Sequence, residues 1–251
     1  MVKRQIARFL VRIMLQRLLH DQRPFNRLLG RAACLHFGRI TEEDFRKDLD
    51  AFFAQLDAET CQHEIDLAAK FDALNRSGGY KADILSLNED SSSDPHRAGY
   101  DFWGRRFGLF RRLGIRSDVM IIRAAEQIPP HAHSRVVSGF YVLAGQVAIR
   151  HYDRVQEFPT HVLVRKVMDT VLPQGGYTTN SEHHHNIHWL AGQAPASYLF
   201  RFTAADVPVR RFGSHVGTRI YVDPTVPAEA SGLIPAPYIS ATAARNVRFL
   251  L

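Results

Sequence analysis

Apolar residues recur at helical spacing through Ile6, Phe9, Leu10, Ile13, Met14 and Leu18. Lys3, Arg4, Arg8, Arg12 and Arg17 fill much of the rest, so the pattern predicts a basic amphipathic helix from Arg4 to Leu19. Pro24 and Gly38 punctuate the stretch that follows. A second helix is predicted from Thr41, where Thr41-Glu42-Glu43-Asp44 offers an N-cap with acids in the first turn. Its apolar stripe is Phe45, Leu49, Phe52, Phe53 and Leu56. A third runs through Ile65, Leu67, Ala68, Phe71 and Leu74 and stops at Ser77-Gly78-Gly79. Residues 87–98 are polar and read as a linker or exposed loop. The stretch Tyr100–Phe107 mixes aromatics with arginines, the composition of a plug or of a staple between two regions, with a stacking surface for a nucleic acid as the less favoured reading.

From Asp118 the period changes to that of strands. Runs at 119–123, 140–143, 147–149, 161–164, 170–172, 186–190 and 197–202 are short, apolar or β-branched, and separated by turns. Such spacing indicates a sandwich or barrel, to which Arg219-Ile220-Tyr221-Val222 adds another strand. Phe140–Leu143, the turn Ala144-Gly145-Gln146 and Val147–Arg150 read together as a β-hairpin. A short terminal helix is expected after Ser240, through Ala243, Ala244 and Arg245. The expected organisation is a helical extension over 1–90, a linker or plug over 91–117, a barrel over 118–225 and a tail with a short helix over 226–251.

Charge changes this picture in one respect. The formal net charge is +7, but residues 1–40 hold nine Lys and Arg against the single acid Asp21, so the rest of the chain is close to neutral. The basicity belongs to the N-terminal arm and gives no reason to expect a nucleic-acid partner for the whole protein. Such an arm packs on the barrel or on a second subunit of a homodimer, or lies on an anionic membrane surface. Its arginine-rich, acid-poor character is also that of a mitochondrial presequence. No apolar run reaches the ~20 residues of a membrane span. Only two cysteines, Cys34 and Cys61, are present, which favours a reducing, cytoplasmic setting over a disulfide framework.

The candidate chemistry lies in Gln127–Gly145, which reads QIPPHAHSRVVSGFYVLAG. Residues i and i+2 of a strand share a face, so His131 and His133 aim into one volume and can offer two nitrogens to one metal ion. The preceding Pro129-Pro130 stiffens the strand and is expected to place it at an edge or rim. The stretch resembles the first motif of the cupin superfamily: His-x-His, a short spacer, an acidic position and, after six intervening residues, Gly145. The acidic position holds Ser138 instead. The second cupin motif supplies another His after a Pro-x-Gly turn, and Pro173-Gln174-Gly175 followed by His188 is its match here. The implied fold is α+β: a single cupin β-barrel, the jelly-roll or double-stranded β-helix, with an N-terminal helical extension.

The resemblance implies a metal site of His131, His133 and His188. His183, His184 and His185 remain alternatives for the third ligand; in an extended strand His184 would share a face with His188 and His185 would point away. Three neutral imidazoles leave the ion its full charge, which suits a small anionic substrate. The arrangement resembles the three-His ferrous site of thiol dioxygenases, and Asn186-Ile187-His188 is similar to their third-ligand sequence. The cofactor so implied is one divalent metal ion, Fe(II), with Zn, Mn or Ni as other occupants, and the partners are a small-molecule substrate and O2. Other readings are a Zn- or Mn-dependent isomerase, decarboxylase or hydrolase, and a non-catalytic sensor or binding module. Arg150 and Arg201 are candidate carboxylate clamps. Phe140 is a candidate apolar wall, and Glu126 a candidate acceptor for an imidazole N–H.

Overall fold

The computed structural model describes residues 19–20, 23–62, 65–66, 68–69, 73, 100–101, 113–213 and 219–249. The basic helix expected from Arg4, the polar stretch 87–98 and most of Tyr100–Phe107 lie outside the described residues. So does much of the third expected helix, of which Ile65 and Ala68 are described and buried.

The stretch between Pro24 and Gly38, read from the sequence as punctuation only, is a helix, α1 (Pro24–His36). Pro24 occupies its first turn, where a missing N–H costs nothing and the fixed φ suits the helix. Gly38 ends it in the left-handed region at φ 65°, its N–H donating to the Leu35 carbonyl. The two residues are the helix's start and stop signals. Helix α2 (Glu42–Phe53) begins at Thr41 as expected, with a reciprocal capping box between Thr41 and Asp44. An Arg31–Asp48 contact at 2.6 Å ties α2 to α1.

The remainder is two antiparallel sheets. The first contains β1 (Tyr100–Asp101), β2 (Ile115–Ile122), β4 (Val137–Ala144), β7 (Tyr177–Asn180) and β9 (Ser197–Ala204), in the order β1-β2-β9-β4-β7. The second contains β3 (Gln127–His133), β5 (Val147–Glu157), β6 (His161–Leu172), β8 (Ile187–Gly192), β10 (Arg219–Val222) and β11 (Ile234–Ile239). Its pairing runs β10-β11-β6-β5-β8-β3 and returns from β3 to β10. The runs expected at 161–164 and 170–172 are parts of the single strand β6. A six-residue helix, α3 (Ala241–Asn246), follows β11, capped by Ser240 as the sequence indicated.

The expected hairpin is corrected. Strand β4 pairs with β7 and β9, and β5 pairs with β6 and β8, so the chain changes sheet at Gly145. Gly145 has φ 81°, and a Cβ there would meet the Ala196 carbonyl oxygen at 2.7 Å. A glycine turn between two strands serves a sheet-crossing corner as well as a hairpin. The edge position of β3 is corrected too, because it is flanked by β8 and β10. Its two prolines fall where the β3–β8 register shifts between Ile128 and His131, the place where a strand tolerates a missing donor.

Helices α1 and α2 cover the outer face of the first sheet. Leu28, Leu29, Phe45, Leu49 and Phe53 pack with Val119, Tyr141, Leu143, Phe200 and Phe202. Between the sheets, Met120, Ile122, Phe140 and Leu199 meet Ile128, Val147, Ile149 and Leu190. A third cluster takes Ala132, Tyr152, Val162, Ile187, Ile220 and Ala236 from all six strands of the second sheet, on its other face. Strand parity therefore turns His131, His151 and His188 toward the first sheet. No helix of the described residues is long and apolar enough to cross a membrane.

Candidate metal centre

The second sheet lines up four side chains in one cross-strand row. Tyr221 of β10 stands opposite His131 of β3, His131 opposite His188 of β8, and His188 opposite His151 of β5. The next row pairs His133 with Arg219. Directly opposed residues on one face are the closest neighbours a sheet provides. His131 and His188 accordingly have ring centroids 4.2 Å apart, and His131 and His133 4.7 Å. One ligand nitrogen from each of His131, His133 and His188 lies within 4.8 Å of the others. The Nε2 atoms of His131 and His133 are 3.0 Å apart. Two imidazole nitrogens on one ion, each ~2.1 Å from it and about 90° apart, are separated by ~3.0 Å.

Protonation suits the same role. His131 Nδ1 is 2.7 Å from the Pro129 carbonyl and His188 Nδ1 is 3.1 Å from the Asn186 carbonyl. A carbonyl oxygen only accepts, so both Nδ1 atoms carry the hydrogen and both Nε2 atoms keep a lone pair. Burial holds the pKa of His131 and of His188 well below the usual imidazole range, with Arg219 adding to the effect at His131 and His133 at His188. Both are neutral at pH 7. Arg219 Nη2 donates to His131 Nε2 at 2.8 Å, so a guanidinium cation shares the volume at which the imidazoles aim.

The first sheet forms the opposite wall. The Phe140 ring lies 5.6 Å from that of His188, the apolar wall expected from strand parity. The Asn180 carboxamide lies between Ser138 Oγ, at 2.7 Å, and His188 Nδ1, at 3.3 Å. Ser138, at the acidic position of the motif, therefore reaches His188 only through Asn180. Thr178 Oγ1 is 3.2 Å from His151 Nε2, and His151 Nδ1 is 3.1 Å from the His185 carbonyl. Both nitrogens of His151 are engaged by these groups. Burial pushes its pKa down to about 3, so it is a neutral buttress beside His188.

The other candidates are placed differently. Arg150 is outside this face, bonded to Asp169 at 2.9 Å and lying over Phe249. Arg201 is on the inner face, in the cross-strand row of Phe140 and Asp118, and forms a two-point pair with Asp118. Glu126 accepts from the Arg123 backbone N–H at 2.9 Å rather than from an imidazole, because it closes the turn before β3. His183 is exposed, with Nε2 2.8 Å from the Arg210 carbonyl, while His184 and His185 gather around Asp153. The turn at 181–186 breaks the strand parity on which their alternative assignment depended. Arg219, Tyr221, His151 and Asn180 were not singled out in the sequence. The alternation Arg219-Ile220-Tyr221-Val222 placed Arg219 and Tyr221 on one face but did not say which strand would be their neighbour.

The sequence matches no family model and no curated protein. Among solved structures it is similar to procruciferin, the 11S globulin of Brassica napus, at 14% identity and TM-score 0.36, covering 48% of this chain and 29% of that one. It is also similar to the cupin domain of Schizosaccharomyces pombe Cnp3, at 13% identity and TM-score 0.28, covering 37% of this chain and 56% of that one. A third likeness is to an oxalate oxidase, at 14% identity and TM-score 0.29, covering 39% of this chain and 45% of that one. This chain spans less than two thirds of each of these three structures.

Proposed function

We propose that the chain is a single jelly-roll cupin barrel that binds one Fe(II) through His131, His133 and His188 and catalyses O2-dependent oxidation of a small anionic substrate, of the thiol class. The observation that carries this reading is the 3.0 Å separation of the His131 and His133 Nε2 atoms, with His188 directly across the ladder from His131. The residues fit an ion that takes the His131 Nε2 lone pair in place of the Arg219 N–H: two buried imidazoles whose Nδ1 hydrogens are fixed by carbonyls, joined by the half-buried His133, with no carboxylate among the three. When bound, iron would supply the redox chemistry and open coordination positions.

The protein's own contribution is binding, orientation and exclusion of water. Arg219 brings a permanent positive charge and a planar fork of donors to the edge of His131, the chemistry that selects an anion. Phe140 gives the opposing wall an apolar surface, and the Asn186 carbonyl accepts the Nδ1 hydrogen that fixes the His188 ring. Arg201, held by Asp118, places a second guanidinium on the inner face of the first sheet.

The test is metal analysis of anaerobically purified protein, wild type beside His133→Ala and His188→Ala, followed by O2 uptake with small thiols. Iron in the wild type, absent from both folded variants, with thiol-dependent O2 uptake is the expected result. Zinc or manganese without O2 uptake would move the reading to Lewis-acid chemistry. Failure of this site to bind any metal would end it.

A further inference from the structure

A second group of metal-ligating side chains meets at the loop between β7 and β8. Asp153 of β5, His184 and His185 present a carboxylate oxygen and two ring nitrogens within 4.8 Å of one another. The His184 and His185 rings stack with centroids 3.7 Å apart. Consecutive residues of an extended chain point to opposite faces; these two share a side with His185 at φ 51°, in the left-handed region. That conformation is unfavourable for a non-glycine residue and persists only where its surroundings impose it.

The surroundings do impose it. The His185 N–H donates to Asp153 Oδ1 at 2.7 Å, and the Ser181 N–H to the His184 carbonyl at 2.8 Å. Asn186 Nδ2 donates to the Ser181 carbonyl at 2.7 Å. Beneath the loop, Glu182 is 0% exposed and meets Arg154, 4% exposed, at 2.7 Å. Glu182 also accepts the Phe212 backbone N–H at 2.8 Å and that of Arg135. The loop is therefore a built platform, and its two half-buried imidazoles are held beside a carboxylate.

We propose that Asp153, His184 and His185 form a second site for a divalent cation of the zinc class, clasping the β7–β8 loop onto β5. Two imidazoles and a carboxylate, with water as fourth ligand, are a donor set that zinc takes in tetrahedral geometry. Tetrahedral ligands at ~2.1 Å stand ~3.4 Å apart, a closure that rotation of half-buried side chains supplies. Desolvation keeps both imidazoles below their usual pKa range and thus unprotonated at neutral pH, as ligation requires. Glu43 and Asp50 of α2 add negative charge nearby; the opposing Arg46 is bound to both of them. The clasp adjoins the inner centre, since the His185 carbonyl faces His151 and Asn186 binds the His133 carbonyl at 2.9 Å.

The proposal does not depend on the inner centre holding metal, and one experiment separates the two. Chelator-stripped full-length protein is reloaded with Zn2+, and stoichiometry and affinity are read by elemental analysis and chelator competition. Wild type is compared with His184→Gln and His133→Ala, each checked for fold by circular dichroism. Two equivalents in the wild type and one in each variant, with at least tenfold weaker binding of the lost equivalent, is the expected result. Asp153→Asn keeps an acceptor for the His185 N–H while removing the charge, and must show the same loss as His184→Gln. Equal stoichiometry and affinity in wild type and His184→Gln would overturn the clasp, with a loss confined to His133→Ala leaving the inner centre standing. A single equivalent lost only in His184→Gln and Asp153→Asn would keep the clasp and remove the inner centre.

Discussion

His131 and His188 are directly opposed across the β3–β8 ladder, with ring centroids 4.2 Å apart and each Nδ1 facing a backbone carbonyl. Pairing distant strands in this register turns two buried histidines, each unremarkable alone, into a set of convergent Nε2 lone pairs. The expected outcome is that His188→Ala loses stoichiometric metal at this centre while keeping its strand content, read by elemental analysis and circular dichroism.

Asn180 is expected to support the centre by packing on His188 rather than by ligation. Its carboxamide is 3.3 Å from His188 Nδ1 and is itself held by Ser138. Replacing Asn180 by Ala removes the side chain packed at the His188 ring edge and leaves the Asn186 carbonyl to hold Nδ1 alone, so metal affinity should fall by ~10-fold, the lower end of the usual effect of losing support around a ligand. Competition with a chelator of known affinity measures it. An unchanged affinity would place Asn180 outside the centre's support.

Arg219 is expected to govern recognition of the substrate. Its guanidinium lies 2.8 Å from His131 Nε2, and a hydrogen bond to a charged group contributes ~1.5–3 kcal/mol. Arg219→Met should therefore lower kcat/KM for an anionic substrate by ~10–100-fold and leave a neutral analogue nearly unaffected. Metal content measured in parallel separates substrate binding from damage to the centre.

Buried neutral imidazoles make the metal-free protein sensitive to acid. His151 is pushed down to about 3 from the ordinary 6.5, and His131 and His188 are displaced in the same direction, all chiefly by burial. Below pH ~6.5 the unfolded chain takes up protons at these positions that the folded chain refuses, so stability falls as pH falls, by ~1.4 kcal/mol per pH unit for each such group until its folded pKa is reached. Urea midpoints of the metal-free protein should drop between pH 7 and pH 5. His151→Phe should shallow that slope, and an unchanged slope would mean that His151 is not buried neutral.

Gly139 marks where α2 presses on the first sheet. A Cβ at this position would lie 2.5 Å from the Phe53 ring and 3.0 Å from Leu49. Gly139→Ala should destabilise by ~1–3 kcal/mol through overpacking, with part of the loss recovered when Phe53→Leu is added. Additive losses in a denaturant double-mutant cycle would show that the two residues do not press on each other.

Local features were legible in the sequence because their physics is local. The capping boundaries at Thr41 and Ser240 are settled by side chains bonding backbone within one turn. The shared face of His131 and His133 follows from strand parity alone. Pro24 and Gly38 also carried local information, but as the two ends of α1 rather than as breaks.

What the sequence left open was decided by strand order. Gly145 permits either a hairpin or a corner, and the packing of two sheets face to face made it a corner. Grouping His188, rather than His184 or His185, with His131 and His133 required the β3–β8 register and the left-handed turn at His185, which diverts the other two to Asp153. Arg219 enters the site because β10 closes against β3, a long-range pairing that spacing along the chain does not encode. Parity fixes which face of a strand a residue takes, and only the tertiary fold decides what that face meets.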